Sequence, residues 1–156
     1  MASAPAWADD ARKRAEGVLT ELPALTGQEE EWRFTPPTDF ALEGPPPEGG
    51  TGDGAAPSAP EGRLAWLSFV DGLAETAETV VTDQGVIIGE LGAAIAEHED
   101  LVRDRLYSIV GFDDKPGALN AARWESGLFV YVPDGVRVEL PIEALVWASG
   151  KAGQIF

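Results

Sequence analysis

The stretch 111-GFDDKPGALNAARWESGLFVYVPDGVRVELPIE-143 decides how this chain is read. Asp114 is a candidate N-cap, and Pro116 sits in the first turn, where a missing N–H costs little, so 114–124 reads as a short helix. Leu128 to Val132 is β-prone and ends at Pro133. After Asp134-Gly135, the residues Val136, Val138 and Leu140 alternate with Arg137 and Glu139 up to Pro141, the period of two expected of a strand with one buried face. Asp-Gly between two such runs is a strong hairpin signal. Leu145, Val146 and Trp147 begin a further strand, broken by Ser149-Gly150. The clearest sheet-forming segment therefore lies close to Phe156.

Working outward, Trp7, Ala11, Ala15, Val18, Leu19 and Leu22 recur at three- and four-residue spacing, so 6–22 reads as an amphipathic helix ended by Pro23. The segment 28-QEEEWRFTPP-37 reads as an extended arm pinned by Trp32 and Phe34. Residues 43–62 hold six glycines and five prolines, which predicts a disordered linker, because such a segment buries too little apolar surface to offset its ordering entropy. The run 64-LAWLSFVDG-72 closes on Asp-Gly, a dipeptide that tolerates positive φ. A second β-prone piece, 79–88, breaks at Asp83-Gln84-Gly85. Residues 90–107 read as one helix with Leu91, Ile95, His98, Val102 and Leu106 on one face. Trp66 and Trp147 are expected to fill core.

Composition narrows the function classes. The 156 residues carry 27 acidic and 11 basic side chains, a formal net charge of −16. Duplex nucleic acid and anionic lipid both require Lys and Arg clusters, and no basic run is present, so neither is an expected partner. The absence of cysteine excludes disulfides and thiolate ligands from this chain. No stretch approaches the roughly 18 apolar residues that span a bilayer, and the first residues lack the apolar centre of a signal peptide. A soluble, cytoplasmic protein is the expectation.

The usual catalytic constellations are also missing. His98 is the single imidazole. It has Glu97 and Glu99 beside it, so an acid–base site is conceivable, but its place on an apolar stripe favours a structural histidine. Asp113-Asp114 reads as a cap and its solvated neighbour. Glu29-Glu30-Glu31 reads as a solvated run rather than a hard-cation site, because consecutive side chains rarely converge on one ion. The glycines of 49–54 lie in the proline-rich linker, not between a strand and a helix, so no phosphate loop is expected.

The segment 114-DKPGALNAARWESGLFVYVPDGVRVELPIE-143 resembles the core region shared by the SufB and SufD proteins of the SUF iron–sulfur assembly system, whose pattern looks like D-K-F-A-A-L-N-A-x-x-W followed by F-V-Y-V-P-x-G-V. Here Pro116-Gly117 replaces an aromatic and a small residue. The pieces 30-EEWRFT-35, 95-IAEHEDLV-102 and 149-SGKAGQIF-156 resemble the SufD branch. The resemblance implies an α+β fold: an N-terminal helical, mixed region followed by the first coils of a right-handed parallel β-helix, truncated here. It divides the chain into an N-terminal helix and arm (1–42), the linker (43–62), a small α/β domain (63–125) and the start of the β-helix core (126–156), in which Asp134-Gly135 would form a corner rather than a hairpin.

The resemblance further implies a non-enzymatic scaffold subunit that works with SufB-like and SufC-like partners through regions not matched here. The iron–sulfur cluster belongs to the full complex. No catalytic, cofactor-binding or metal-ligating residue is carried over, and no cofactor is assigned to this segment. What transfers is a structural role for Trp32, Leu119, Asn120, Trp124, Phe129, Tyr131 and Val136. The competing readings are a small acidic β-rich binding module of cupin type and a His98-dependent acid–base enzyme. Asn120 is expected to tie its helix to the first following strand. If its amide is buried, Asn120→Ala should lower the unfolding free energy by about 1–3 kcal/mol in urea titrations, and a change under about 0.5 kcal/mol rejects that role.

Overall fold

The computed structural model describes residues 4–37 and 58–147. Among the described residues, four α-helices, a one-turn 3-10 helix and two small sheets surround three apolar clusters. Helix α1 (Ala6–Glu21) forms as its spacing predicts. It lies antiparallel to α4 (Lys115–Arg123) and buries Ala15 and Leu19 against Ala118, Leu119, Ala121 and Ala122. Four of these six residues are alanine, which lets the two backbones approach closely. Full burial of each leucine contributes about 1.5–3 kcal/mol. The pair is tied at both ends. Lys115 Nζ donates to Leu22 O at 3.3 Å, and Arg12 Nη1 donates to Ala122 O at 3.2 Å and Trp124 O at 2.8 Å. A guanidinium at the end of α4 also suits the negative pole of that helix.

The start of α4 is as expected. Asp114 accepts from Gly117 N at 2.7 Å. Gly117 is fixed by its surroundings, since a Cβ there would lie 2.7 Å from Gly111 O and 2.9 Å from Asp114 Oδ1.

The sheets have the orders β2-β1-β6 and β3-β4-β5. Strand β1 (Ala65–Val70) turns back into β2 (Leu73–Thr76) through Asp71 (φ 50°) and Gly72 (φ 89°), the left-handed pair that a tight hairpin requires. Strand β3 (Val80–Val81) turns into β4 (Ile87–Glu90) at 82–85. There Thr82 N donates to Val86 O at 3.0 Å, its hydroxyl accepts from Val86 N at 3.1 Å, and Gly85 takes φ 81°. Strand β5 (Leu128–Tyr131) runs antiparallel to β4, and β6 (Ile142–Trp147) runs parallel to β1 in unbroken register from Ala65↔Ile142 to Val70↔Trp147. Each sheet thus takes strands from both sides of residue 125. Ala65, Leu67, Phe69, Val86 and Ile88 form the core between the sheets.

Several expectations are corrected. Residues 90–107 do not form one helix. They give α2 (Leu91–Glu97) and α3 (Glu99–Val102), broken where His98 leaves helical geometry at φ −133°, ψ 46°. The chain then reverses through Tyr107 at φ 64°, a conformation that costs a non-glycine residue about 1 kcal/mol or more. Residues 136–140 are not a strand, so no hairpin forms across Asp134-Gly135. Val136 and Val138 are half-buried beneath the sheet core while Arg137 and Glu139 face solvent. The alternation is real, but it belongs to an irregular segment between two prolines, neither of which has an N–H to offer a ladder. The following strand begins at Ile142, earlier than expected.

The arm is held by Trp32, half-buried in a one-turn 3-10 helix (Glu30–Trp32), and not by Phe34, which is 87% exposed under the Arg33 guanidinium. Trp147 is 43% exposed rather than core, and Trp66 is half-buried. Residues 43–57 of the expected linker, and the 149–156 piece, lie outside the described residues; 58–62 form no helix or strand. The mixed α+β character stands, and no β-helical coil closes among the described residues.

Gly117→Ala should lower the unfolding free energy by about 1–3 kcal/mol, the usual cost of forcing a methyl into packed surroundings. Urea titration followed by circular dichroism checks this, and a neutral outcome would show that the carbonyl of Gly111 moves freely.

Candidate functional site

Long-range side-chain hydrogen bonds converge on the end of α4 and the strand that follows it. Trp124, the residue after α4, is buried, and its indole N–H donates to the Tyr107 hydroxyl at 2.7 Å. That hydroxyl donates in turn to Ala121 O at 3.4 Å. Burial pushes the Tyr107 phenol above its ordinary pKa, with the indole hydrogen bond opposing the shift. The Arg12 guanidinium lies 4.9 Å from the Trp124 ring centroid, a cation–π distance.

Two residues on, the Ser126 hydroxyl is buried and donates to Gly72 O at 2.7 Å, which fixes the start of β5 to the β1–β2 turn. Gly127 follows because Leu91 Cδ2 would lie 3.1 Å from any Cβ there. Leu91 N donates to Gly127 O at 2.8 Å. The Glu90 carboxylate caps α2 by accepting from Ala93 N at 2.9 Å, and also accepts from Gly127 N at 3.3 Å. Side chains and backbone therefore set the exit angle of β5.

Beyond β5, Val136 N donates to Pro133 O at 3.1 Å and Gly135 takes φ 78°, so the chain turns and crosses from one sheet to the other. The β1–β6 ladder is lengthened at both ends, by Leu64 N to Pro141 O at 2.9 Å and Asp71 N to Trp147 O at 3.0 Å. Arg63 pairs with Glu143, the one charged residue of β6. Strands β5 and β6 are each the last strand of their sheet among the described residues. Among the described residues, six of the eleven exposed large apolar side chains fall here: Leu128, Val130, Val132, Leu140, Val146 and Trp147. Edge strands with apolar surface present backbone groups and side chains suited to pairing with further chain.

The expected structural residues are distributed over this region and its supports. Leu119 is buried between α1 and α4, and Trp124 in the cluster with Ala94, Ile95 and Val102. Phe129 packs on that same cluster and stacks with His98, ring centroids 6.4 Å apart and 14° from parallel. Tyr131 is half-buried opposite Ile87, and Val136 packs on the sheet core. Asn120 is half-buried, and its carbonyl accepts from Trp124 N at 3.0 Å. Trp32 stands apart from the strands, beside Lys115 and Pro116 at the start of α4. Arg12, Tyr107, Ser126 and the Arg63–Glu143 pair escape a reading from sequence. Only the positive φ of Tyr107 and long-range proximity single them out, and neither has a local signal.

The alternative chemistries find little geometry. Glu99 is held by Arg103 at 3.1 Å, and among the described residues no hydrogen bond joins His98 to Glu97 or Glu99. The three consecutive glutamates diverge. Glu29 turns back onto its own loop and accepts from Thr26 N and Gly27 N, which hold its pKa down to about 2, the Thr26 bond most strongly. Glu30 faces Arg33 at 3.5 Å. Among the described residues no group of three or more His, Asp or Glu is placed to hold a metal ion. No described helix is long and apolar enough to cross a membrane.

Residues 68–144, from within β1 to within β6, match the family described as the SufBD protein N-terminal region. This segment belongs to the SufBD family. The iron–sulfur cluster assembly protein SufB of Bacillus subtilis is 40% identical over 62 residues, which are 39% of this chain and 13% of that protein. An iron–sulfur cluster assembly SufBD family protein of Staphylococcus epidermidis is 37% identical over 68 residues, 43% of this chain and 15% of that protein. One from Mycobacterium tuberculosis is 39% identical over 62 residues, 39% of this chain and 7% of that protein. The chain thus spans a small fraction of these relatives, at most 15% of their length. No solved structure matches it.

The matched SufBD segment contains the whole junction from Trp124 to β5. Ser126→Ala, which leaves the buried Gly72 carbonyl without its donor, is expected to cost about 1–3 kcal/mol in urea titrations. A loss below about 0.5 kcal/mol would show that water replaces the hydroxyl.

Proposed function

We propose that this chain is the N-terminal portion of a SufD-like scaffold subunit of a SUF iron–sulfur assembly complex. The observation that carries this reading is the SufBD match over 68–144. The geometry is consistent with it. The matched segment ends in β5 and β6, two edge strands that leave apolar side chains and backbone groups open to further chain, the starting condition for coils of a β-helix. The SufD assignment within the family rests on 30-EEWRFT-35, 95-IAEHEDLV-102 and 149-SGKAGQIF-156.

In this reading the protein is not an enzyme and carries no cofactor of its own in this segment. With no cysteine and a single histidine, the segment offers few ligands for a nascent cluster, which is assembled elsewhere on the complex. SufB-like and SufC-like subunits are the partners, contacted through regions beyond this segment, in the cytoplasm. Nucleic acid and anionic membrane are disfavoured by the net charge of −16.

The test is co-expression of SufB-like and SufC-like subunits from the same genome with the product of the whole reading frame that holds residues 1–156, or with residues 1–156 alone. The whole product is expected in a stable complex containing both subunits, and residues 1–156 alone in none. A whole product that takes the place of the SufB-like subunit would overturn the SufD assignment, and one that binds neither would overturn the scaffold reading.

A further inference from the structure

A cavity of about 370 Å³ lies between the first turns of α1, helix α2, Leu106–Tyr107 and Trp124–Glu125. It exists because small side chains line its walls: Ala8 from α1, and Gly92, Ala93 and Ala96 from α2. At Gly92 a Cβ would lie 2.8 Å from the carboxylate oxygen of Glu90 that caps the helix, so enlarging it would displace that cap. Ile95, Leu106 and the rings of Trp124 and Tyr107 supply an apolar, aromatic lining. This volume falls in the range of small-molecule sites, about 300–1,000 Å³, which are typically mostly apolar with a few charged groups.

Charge chooses the occupant. Asp9, Glu97 and Glu125 border the cavity, all exposed and in no ion pair among the described residues. Glu90 also borders it but is committed to the N-cap of α2. The one basic side chain of the lining, Arg12, is committed to two carbonyl oxygens and the face of Trp124. With the Trp124 face already covered by Arg12, it is the three uncommitted carboxylates around an apolar lining that favour a cation and repel an anion. We propose that this cavity binds a small organic cation, an ammonium group carried on an apolar body, with the apolar part against Ile95 and Leu106 and the charge toward Glu97 and Glu125. This goes beyond the scaffold reading and does not depend on it.

The test titrates the 156-residue chain with three probes of one shape: phenethylammonium, the neutral phenethyl alcohol and anionic 3-phenylpropionate. Binding is followed by the Trp124 indole N–H and the Ala93 and Ala96 amides in nitrogen–proton spectra. The ammonium is expected to give saturable shifts at these groups, with the alcohol about tenfold weaker, a difference of about 1.4 kcal/mol, and the carboxylate silent. Ala96→Leu, at an exposed helix position that leaves the spectrum otherwise folded, should abolish the shifts. The pair Glu97→Gln and Glu125→Gln should weaken the ammonium toward the alcohol while leaving the alcohol unchanged. Equal binding of all three probes, shifts that survive Ala96→Leu, or no saturable binding of the ammonium would each overturn the proposal.

Discussion

The hydrogen bond from the Trp124 indole to the Tyr107 hydroxyl is the constraint on which the arrangement of helices and sheets depends. Leaving a buried indole N–H unmet costs about 1–3 kcal/mol. Meeting it here holds Tyr107 at the far end of a chain reversal, in a left-handed conformation that an aromatic residue otherwise avoids. Arg12 reaches the same place from α1, lies over the indole and satisfies the last carbonyls of α4. Three segments distant in sequence thus meet at one side chain. The strand that leaves this point has its direction set within three residues by Ser126 and Gly127.

Much of this architecture was legible in the sequence where the signal is local. The α1 stripe, the Asp114 cap and the Asp71-Gly72 turn each depend on side chains within a few residues of one another, and each forms as read. The failures share a cause. Residues 136–140 alternate as a strand does, but alternation reports which side chains are buried and not whether a neighbouring backbone is in reach. The periodicity of 90–107 continues through His98, yet the backbone breaks there, and the imidazole stacks on Phe129, a residue 31 positions away that periodicity does not see. Phe34 looked like an anchor by its hydrophobicity alone and is left in solvent. The supporting residues of the candidate site, Arg12, Tyr107 and Ser126, act across long sequence separations and leave no pattern of their own.

The SufBD segment spans both sheets but not α1. The junction nevertheless borrows a guanidinium from α1, so residues outside the matched segment help to hold its centre. The helix pair contributes burial and caps, while the sheets contribute edges. These are different tasks. The first stabilises the region, and the second offers backbone groups to whatever chain lies beside β5 and β6.

The parallel pairing of Ala65–Val70 with Ile142–Trp147 has a consequence for synthesis on the ribosome. Strand β1 meets β2 almost as soon as both have left the exit tunnel, but its other side must wait for β6, made many seconds later at ordinary translation rates. Closing so long a loop is entropically slow. In that interval one flank of the apolar run AWLSFV is open to foreign strands, and it is covered only once residue 147 has emerged. Holding chaperones and slow codons would exert their influence in that window.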